Sequence, residues 1–399
     1  MNDTHHANDR LDILGPGSHR DPYPYFARLR DSQPVHWLEG EKLWLVTRHA
    51  DVVDVLRRVE DFSAVANERQ EPEAGERRGT PNIITLDRPD HDRLRQVLQK
   101  RFTNRGLARY QTRIEALATE LASHLGTQDE FDLVSDFTVP LPVTTIAEAL
   151  GIELERYDDF KRWSDALVRI ITVRRESPEW YEARDSLHEL IQYFRMIADS
   201  RRETPTDDLV GALVEAESEP GRISEREIIS YCLLLLAAGN ETTTNLIGGM
   251  VVELFKNPEQ FQLLLDEPER LPAAIEEGLR HCSPVQVLFR RTLHETKIGD
   301  VVVPANQDIG VSYAAANRDE SVFVDPDRFD ITRDTTNHVA FGYGLHHCLG
   351  AHLARREATA AFERLLPLLP KMQRSYDEVT WVDSWVVRGP KSLPMHWAA

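Results

Sequence analysis

The sequence predicts one large, mainly helical domain carrying small β elements, and three observations predict it. Apolar residues recur at three- and four-residue spacing through much of the 399-residue chain. Segments that read as strands are few and short. Composition shifts sharply nowhere, and no repeat or low-complexity tract divides the chain. A single domain over residues 1–399 is therefore expected, with residues 1–20 as a flexible N-terminal segment. A chain of this length buries a large core and has room for a cofactor within it.

The elements follow in order. A short helix over 21–31 begins among prolines. Val52, Val53, Val55 and Leu56 mark a helix at 50–57. Leu94, Val97 and Leu98 share one side of a helix at 91–101, and a further apolar face runs through 107–125. Helices at 160–171 and 180–202 form a pair separated by Ser177 and Pro178. The longest pattern, 224–255, is apolar nearly all round at its centre, as a buried helix is. Ser224 with Glu227 three residues on is a capping box, and Pro258 stops the run. Glu277 and Arg280 sit at i,i+3 in AAIEEGLRH, and a leucine-rich helix begins at Ala351. Residues 42–47 (KLWLVT) read as a strand. Residues 297–303 and 307–312, joined around Pro304, Ala305 and Asn306, read as a hairpin. The polar stretch 67–80 (NERQEPEAGERRGT) reads as a mobile loop.

Bulk properties narrow the function classes. A net charge of −19, from 47 basic and 66 acidic residues, disfavours nucleic acid and anionic membrane as general partners. Cys232, Cys282 and Cys348 are too few and scattered for a disulfide framework, which fits a reducing cytoplasm. The polar N-terminus is not a secretory signal. The longest apolar run, YCLLLLAAG, is well short of the roughly 20 residues a bilayer span needs.

Residues 341–350 read FGYGLHHCLG, and Cys348 is the most informative residue in the chain. It lies in a glycine-rich turn just ahead of a helix, where free N–H groups and the positive dipole end favour a thiolate. Gly342, Gly344 and Gly350 let the backbone approach a flat ligand and its sulfur. A single soft axial ligand to haem iron fits such a loop. Zinc is a rival, because His346, His347, Cys348 and His352 cluster, but paired ligand spacing is missing. Core packing, the reading given to Cys232, is the third possibility. A dinucleotide fingerprint is excluded by the missing third glycine and the lack of a βαβ unit. No C-x-x-C-H is present, so any haem is held non-covalently.

Residues 237–244 read AAGNETTT inside the longest helix. Glycine and three threonines are poor mid-helix residues, and threonine bonded back to a carbonyl bends a helix. A helix end at Gly239 is one reading; a local functional break is the other, because apolar periodicity resumes at Leu246. A carboxylate beside a hydroxyl relays protons.

The segment Phe341-Gly-x-Gly-x-His346-x-Cys348-x-Gly350 resembles the haem-binding loop of the cytochrome P450 family, soluble bacterial type, and the resemblance covers nearly the whole chain. It implies the P450 fold, haem b held non-covalently, Cys348 as the iron ligand, and His346 on a haem propionate. It places Phe341, Gly342, Gly350 and Ala238 around the cofactor and makes Glu241 and Thr242 the acid–alcohol pair that supports O–O cleavage. By the same resemblance His91 and Arg95 bind propionates. Arg290 or Arg291 adds a contact, with Arg290 preferred. Glu277, Arg280 and Arg328 form a structural network.

The implied activity is insertion of one oxygen atom from O2 into a small or medium apolar substrate, with electrons from a separate ferredoxin and its reductase. A peroxide-driven variant and a non-enzymatic haem sensor or carrier are the alternatives; Glu241 and Thr242 argue against both. By family position the pocket is lined by the loop after Asn67 and by residues 167–171, 233–238, 285–289 and 385–387, with Gln286 and Arg290 the polar exceptions. Residues 91–109 hold six basic side chains against Asp92 alone, and Arg355 and Arg356 follow the ligand loop. An acidic ferredoxin is expected near Arg101, Arg105 and Arg356; solvated helix faces are the other reading of those arginines.

Overall fold

The computed structural model describes residues 20–65, 82–152, 156–172 and 176–398. The loop expected at 67–80 and residues 1–19 of the N-terminal segment lie outside the described residues. Helices dominate what is described, and the largest core is built where they meet. The longest, Glu225–Lys256, runs through that core; Ile247, Met250, Val251 and Val252 on it are at most 2% exposed. Its capping box forms as the sequence predicts, with the Ser224 hydroxyl and the Glu227 carboxylate each capping the other's backbone N–H.

The helix pair is Tyr157–Thr172 and Pro178–Glu203. The helix expected at 107–125 starts later, at Gln111, after a short turn of helix at Asn104–Leu107 and a 3-10 turn at Ala108–Tyr110. Helices Pro140–Ala149, Leu209–Glu217 and Pro258–Asp266 have no counterpart in the sequence reading. The first two are buried nearly all round. An element with no polar face has no periodicity to detect.

Sheets are small. The largest has five strands in the order Val35–Leu38, Leu43–Val46, Asp308–Ser312, Val287–Thr292, Phe62–Ser63. Only the pair Leu43–Val46 and Asp308–Ser312 is parallel. The expected hairpin between 297–303 and 307–312 does not form. Thr296–Ile298 instead pairs with Val301–Val303, and Asp308–Ser312 joins the five-stranded sheet. Gly299, at φ +54°, turns the chain inside the segment read as one strand.

The Glu-x-x-Arg helix, Leu271–Cys282, packs beside the longest helix. Arg280 donates two bonds to Glu277, at 2.7 and 2.8 Å, and both side chains are fully buried. The third guanidinium is not that of Arg328, which is exposed and contributes only its carbonyl to Arg280. Arg333 takes the place, with its Nε 3.5 Å from Glu277. The backbone N–H of Asp330 also donates to Glu277, at 2.8 Å.

Candidate active site

The ligand loop is built by backbone geometry. Gly342 and Gly344 hold φ of +71° and +70°, which side chains other than glycine rarely adopt. A Cβ on Gly344 would also sit 3.0 Å from the Leu56 carbonyl. Gly350 differs: its φ is −82°, and it serves as N-cap of the helix Ala351–Leu365. The Cys348 N–H donates to the Phe341 carbonyl at 2.8 Å, closing the loop. Protein surrounds the Cys348 sulfur, and burial pushes its thiol up, while the N–H groups of Gly350 and Ala351 and the charges of Arg95 and Arg355 pull it down. Accessible surface nevertheless remains on Cys348. Cys232 is fully buried and desolvated, as core packing requires.

Phe341 lies under the guanidinium of Arg355, 4.5 Å from its ring centroid. Arg355 is in turn clamped by Glu276 at 2.5 and 2.8 Å, and Glu276 also meets His338 at 2.9 Å. These partners hold the Glu276 carboxyl down at about 2, against the effect of burial. The sequence reading missed Glu276, because its i,i+3 neighbours give no hint of a partner 79 residues away.

A second group of side chains gathers beside the loop. His91 is fully buried, its ring 4.5 Å from that of His346. The His91 Nδ1 meets Asp92 at 3.1 Å, and its Nε2 is buried with no partner among the described residues. The His346 Nδ1 meets the Ile83 carbonyl at 3.1 Å. Desolvation pushes His346 down to about 3, helped by the charges of Arg290 and His91. Arg290 is 6% exposed and donates to the neighbouring Phe289 carbonyl at 2.7 Å. Burial lowers its pKa as well. Arg291, on the other face of the same strand, reaches out to the Asn306 carbonyl. The charge of Arg95 acts on both histidines and on Cys348. An orphaned buried imidazole nitrogen beside two arginines matches the anionic edge of a haem, whose propionates need such donors. The residues present therefore fit that cofactor.

The segment 237–244 is helical throughout, so the expected break is absent. The Thr242 hydroxyl donates back to the Ala238 carbonyl at 2.9 Å, the i−4 bond anticipated for threonine there. Ala238 is exposed. Glu241 is largely buried, and desolvation alone pushes its carboxyl up.

The expected pocket walls meet in part. Val285 and Val387 form an isolated bridge, and Phe289 and Trp385 pack edge to face at 5.4 Å. Leu167 lies on helix Tyr157–Thr172. Gln286 is 2% exposed, and its amide nitrogen donates to the Ser283 carbonyl at 2.5 Å. The loop after Asn67 falls outside the described residues. Of the basic residues expected to meet a partner, Arg101 pairs with Asp207, as does Arg109 of the same stretch. Arg356 bonds to Gln111 and the Asn104 carbonyl.

A family model described as cytochrome P450 matches residues 25–368. The chain is 41% identical over 391 residues to cytochrome P450 107B1 of Saccharopolyspora erythraea, covering 94% of this chain and 95% of that protein. It is 35% identical to the vitamin D(3) 25-hydroxylase of Pseudonocardia autotrophica, covering 98% and 97%. Among solved structures, CYP109E1 of Bacillus megaterium in complex with testosterone is similar at a TM-score of 0.87 and 32% identity, covering 96% of this chain and 99% of that one.

Proposed function

Because the chain belongs to the cytochrome P450 family, we propose that Cys348 would be the thiolate ligand of its haem and that Glu241 and Thr242 relay protons to the site of O2 activation. The enzyme is a monooxygenase, an oxidoreductase that takes an organic substrate, O2 and electrons from a redox partner. The haem supplies the O2 activation.

The chain's own residues do the rest. The N–H groups of Gly350 and Ala351 stabilise charge on Cys348. His91, Arg95, Arg290 and His346 would hold the propionates, and Phe341, Gly342, Gly350 and Ala238 would contact the cofactor. The observation that carries this reading is the unpartnered His91 Nε2 gathered with two arginines beside the cysteine loop. Glu241, whose carboxyl is pushed up by desolvation, passes a proton toward the Thr242 hydroxyl. Thr242 donates its own hydrogen to Ala238, so its oxygen lone pairs remain free to accept. A peroxide-driven reaction has no use for such a relay.

The substrate we infer is apolar and of steroid size. With Gln286 turned inward and Arg290 assigned to haem, residues 233–238, 285, 287–289 and 385–387 present only apolar side chains. The vitamin D(3) hydroxylase and the testosterone complex support that class. A ferredoxin with its reductase is the proposed electron source.

The test is optical. The reduced protein with CO is expected to show the strongly red-shifted Soret band of thiolate ligation, and Cys348→Ala to lose it. Thr242→Ala is expected to release peroxide in place of product. An imidazole-type spectrum in the wild type overturns the Cys348 assignment, and unchanged coupling in Thr242→Ala removes the relay.

A further inference from the structure

Asn240 stands between Gly239 and Glu241 in the middle of a 32-residue helix. Asparagine is a poor mid-helix residue, and the relay chemistry assigns it nothing. Its side chain reaches across to a neighbouring helix. The amide nitrogen donates to the Ser164 hydroxyl at 2.8 Å, across 76 residues of chain. The amide oxygen lies 3.4 Å from the Thr244 hydroxyl, which donates to the Thr138 carbonyl at 2.9 Å. Ser164 is 4% exposed, and Thr244 is 6% exposed. In such surroundings an unpaired amide or hydroxyl is costly, so the contact holds both helices to one geometry.

The two ends of this tie matter. Ser164 lies on helix Tyr157–Thr172, one turn before Leu167 and on the same face, and Leu167 belongs to the substrate wall inferred above. At the other end the long helix is uninterrupted. Any roll of the backbone at Asn240 is therefore carried directly to Glu241 and Thr242, the next two residues. We propose that Asn240 is a positioning residue: through Ser164 it ties the orientation of Glu241 and Thr242 to the seating of the substrate-side helix. Substrate pressing on that helix then tightens the register of the relay, and an ill-fitting ligand loosens it. The inference rests on the relay role given to Glu241 and Thr242.

The test uses holoenzyme variants Asn240→Leu, Ser164→Ala, Ser164→Thr and the double variant Asn240→Leu/Ser164→Ala. The first readout needs no substrate: the infrared C–O stretch of the reduced CO complex, which senses polarity around Thr242. It is expected to shift alike in Asn240→Leu and Ser164→Ala and to stay in place in Ser164→Thr. The second is peroxide released per electron consumed, with testosterone as probe. It is expected to rise about fivefold in either single variant, as loss of one net hydrogen bond allows, and no further in the double variant. Unshifted C–O stretches, or effects that multiply in the double variant, overturn the proposal. If Thr242→Ala itself leaves coupling and the stretch unchanged, the relay reading fails first. If Thr242→Ala alters both and Asn240→Leu neither, only the Asn240 role is lost.

Discussion

Glu357 is 2% exposed on the helix that follows the ligand loop, and burial pushes its carboxyl up to about 8. The Thr243 hydroxyl is the one group that pulls the other way. Folded chains thus keep a proton that unfolded chains release above the ordinary value of 4.5. The folded value is the higher one, so stability falls as pH rises from there through about 8. Glu357→Gln removes that fall. Urea unfolding of the holoenzyme at pH 6 and pH 8.5 is expected to show similar midpoints for the variant and a clear drop for the wild type. The sequence reading passed over Glu357, because nothing in REATA distinguishes a buried glutamate from a solvated one. Cys348 was legible for the opposite reason: glycines at 342 and 344, now at positive φ, set its loop apart from any helix or strand. Gly350 holds an ordinary φ of −82°, and a Cβ there would lie 3.9 Å from the Cys348 sulfur, so close approach and not a left-handed backbone is what glycine offers at that position.

At the scale of elements, the Glu277–Arg280 pair locks helix Leu271–Cys282 to the carbonyls of Asn317 and Pro326. Removing one partner leaves the other charge buried, a loss of about 3–5 kcal/mol. Glu277→Gln is expected to lower holoenzyme stability by that order in denaturant titration. The pair was readable from the family resemblance, its i,i+3 spacing alone being common on helix surfaces, whereas the choice of Arg333 over Arg328 was not, since it depends on which side chain the intervening turns aim inward. Two glycines of the long helix make a second contrast. A Cβ on Gly248 would meet the rigid Pro390 ring at 2.6 Å, while one on Gly239 meets only Ile146 at 3.6 Å. Gly248→Ala is therefore expected to cost about 1–3 kcal/mol by overpacking. Gly239→Ala is expected to leave thermal stability equal or higher, because alanine is the better helix former.

Across the whole molecule, a basic stretch in an acidic chain steers an acidic partner only where its charges are free. Arg101, Arg109 and Arg356 are occupied within the fold. Lys100 and Arg105 are exposed and carry no ion pair among the described residues. Arg105→Glu is expected to slow reduction by a ferredoxin and to flatten its dependence on salt. Arg101→Glu is expected to disturb the Asp207 contact as well, lowering stability. What the sequence determined by itself was local: the capped long helix, the Thr242 back-bond, the cysteine loop, the Glu-x-x-Arg pair. Each depends on residues within a few positions of one another, where helix or turn geometry dictates who meets whom. Only the tertiary structure decided that Asp207 takes Arg101, that Glu276 takes Arg355, that Arg290 faces inward and Arg291 outward, and that Asn240 finds Ser164. Those pairs are separated by 76 to 106 residues, and close packing of whole elements, not local propensity, brings them within hydrogen-bond reach. Cys348 could be found in one line of sequence; the groups that gather beside it could be assembled only by the fold.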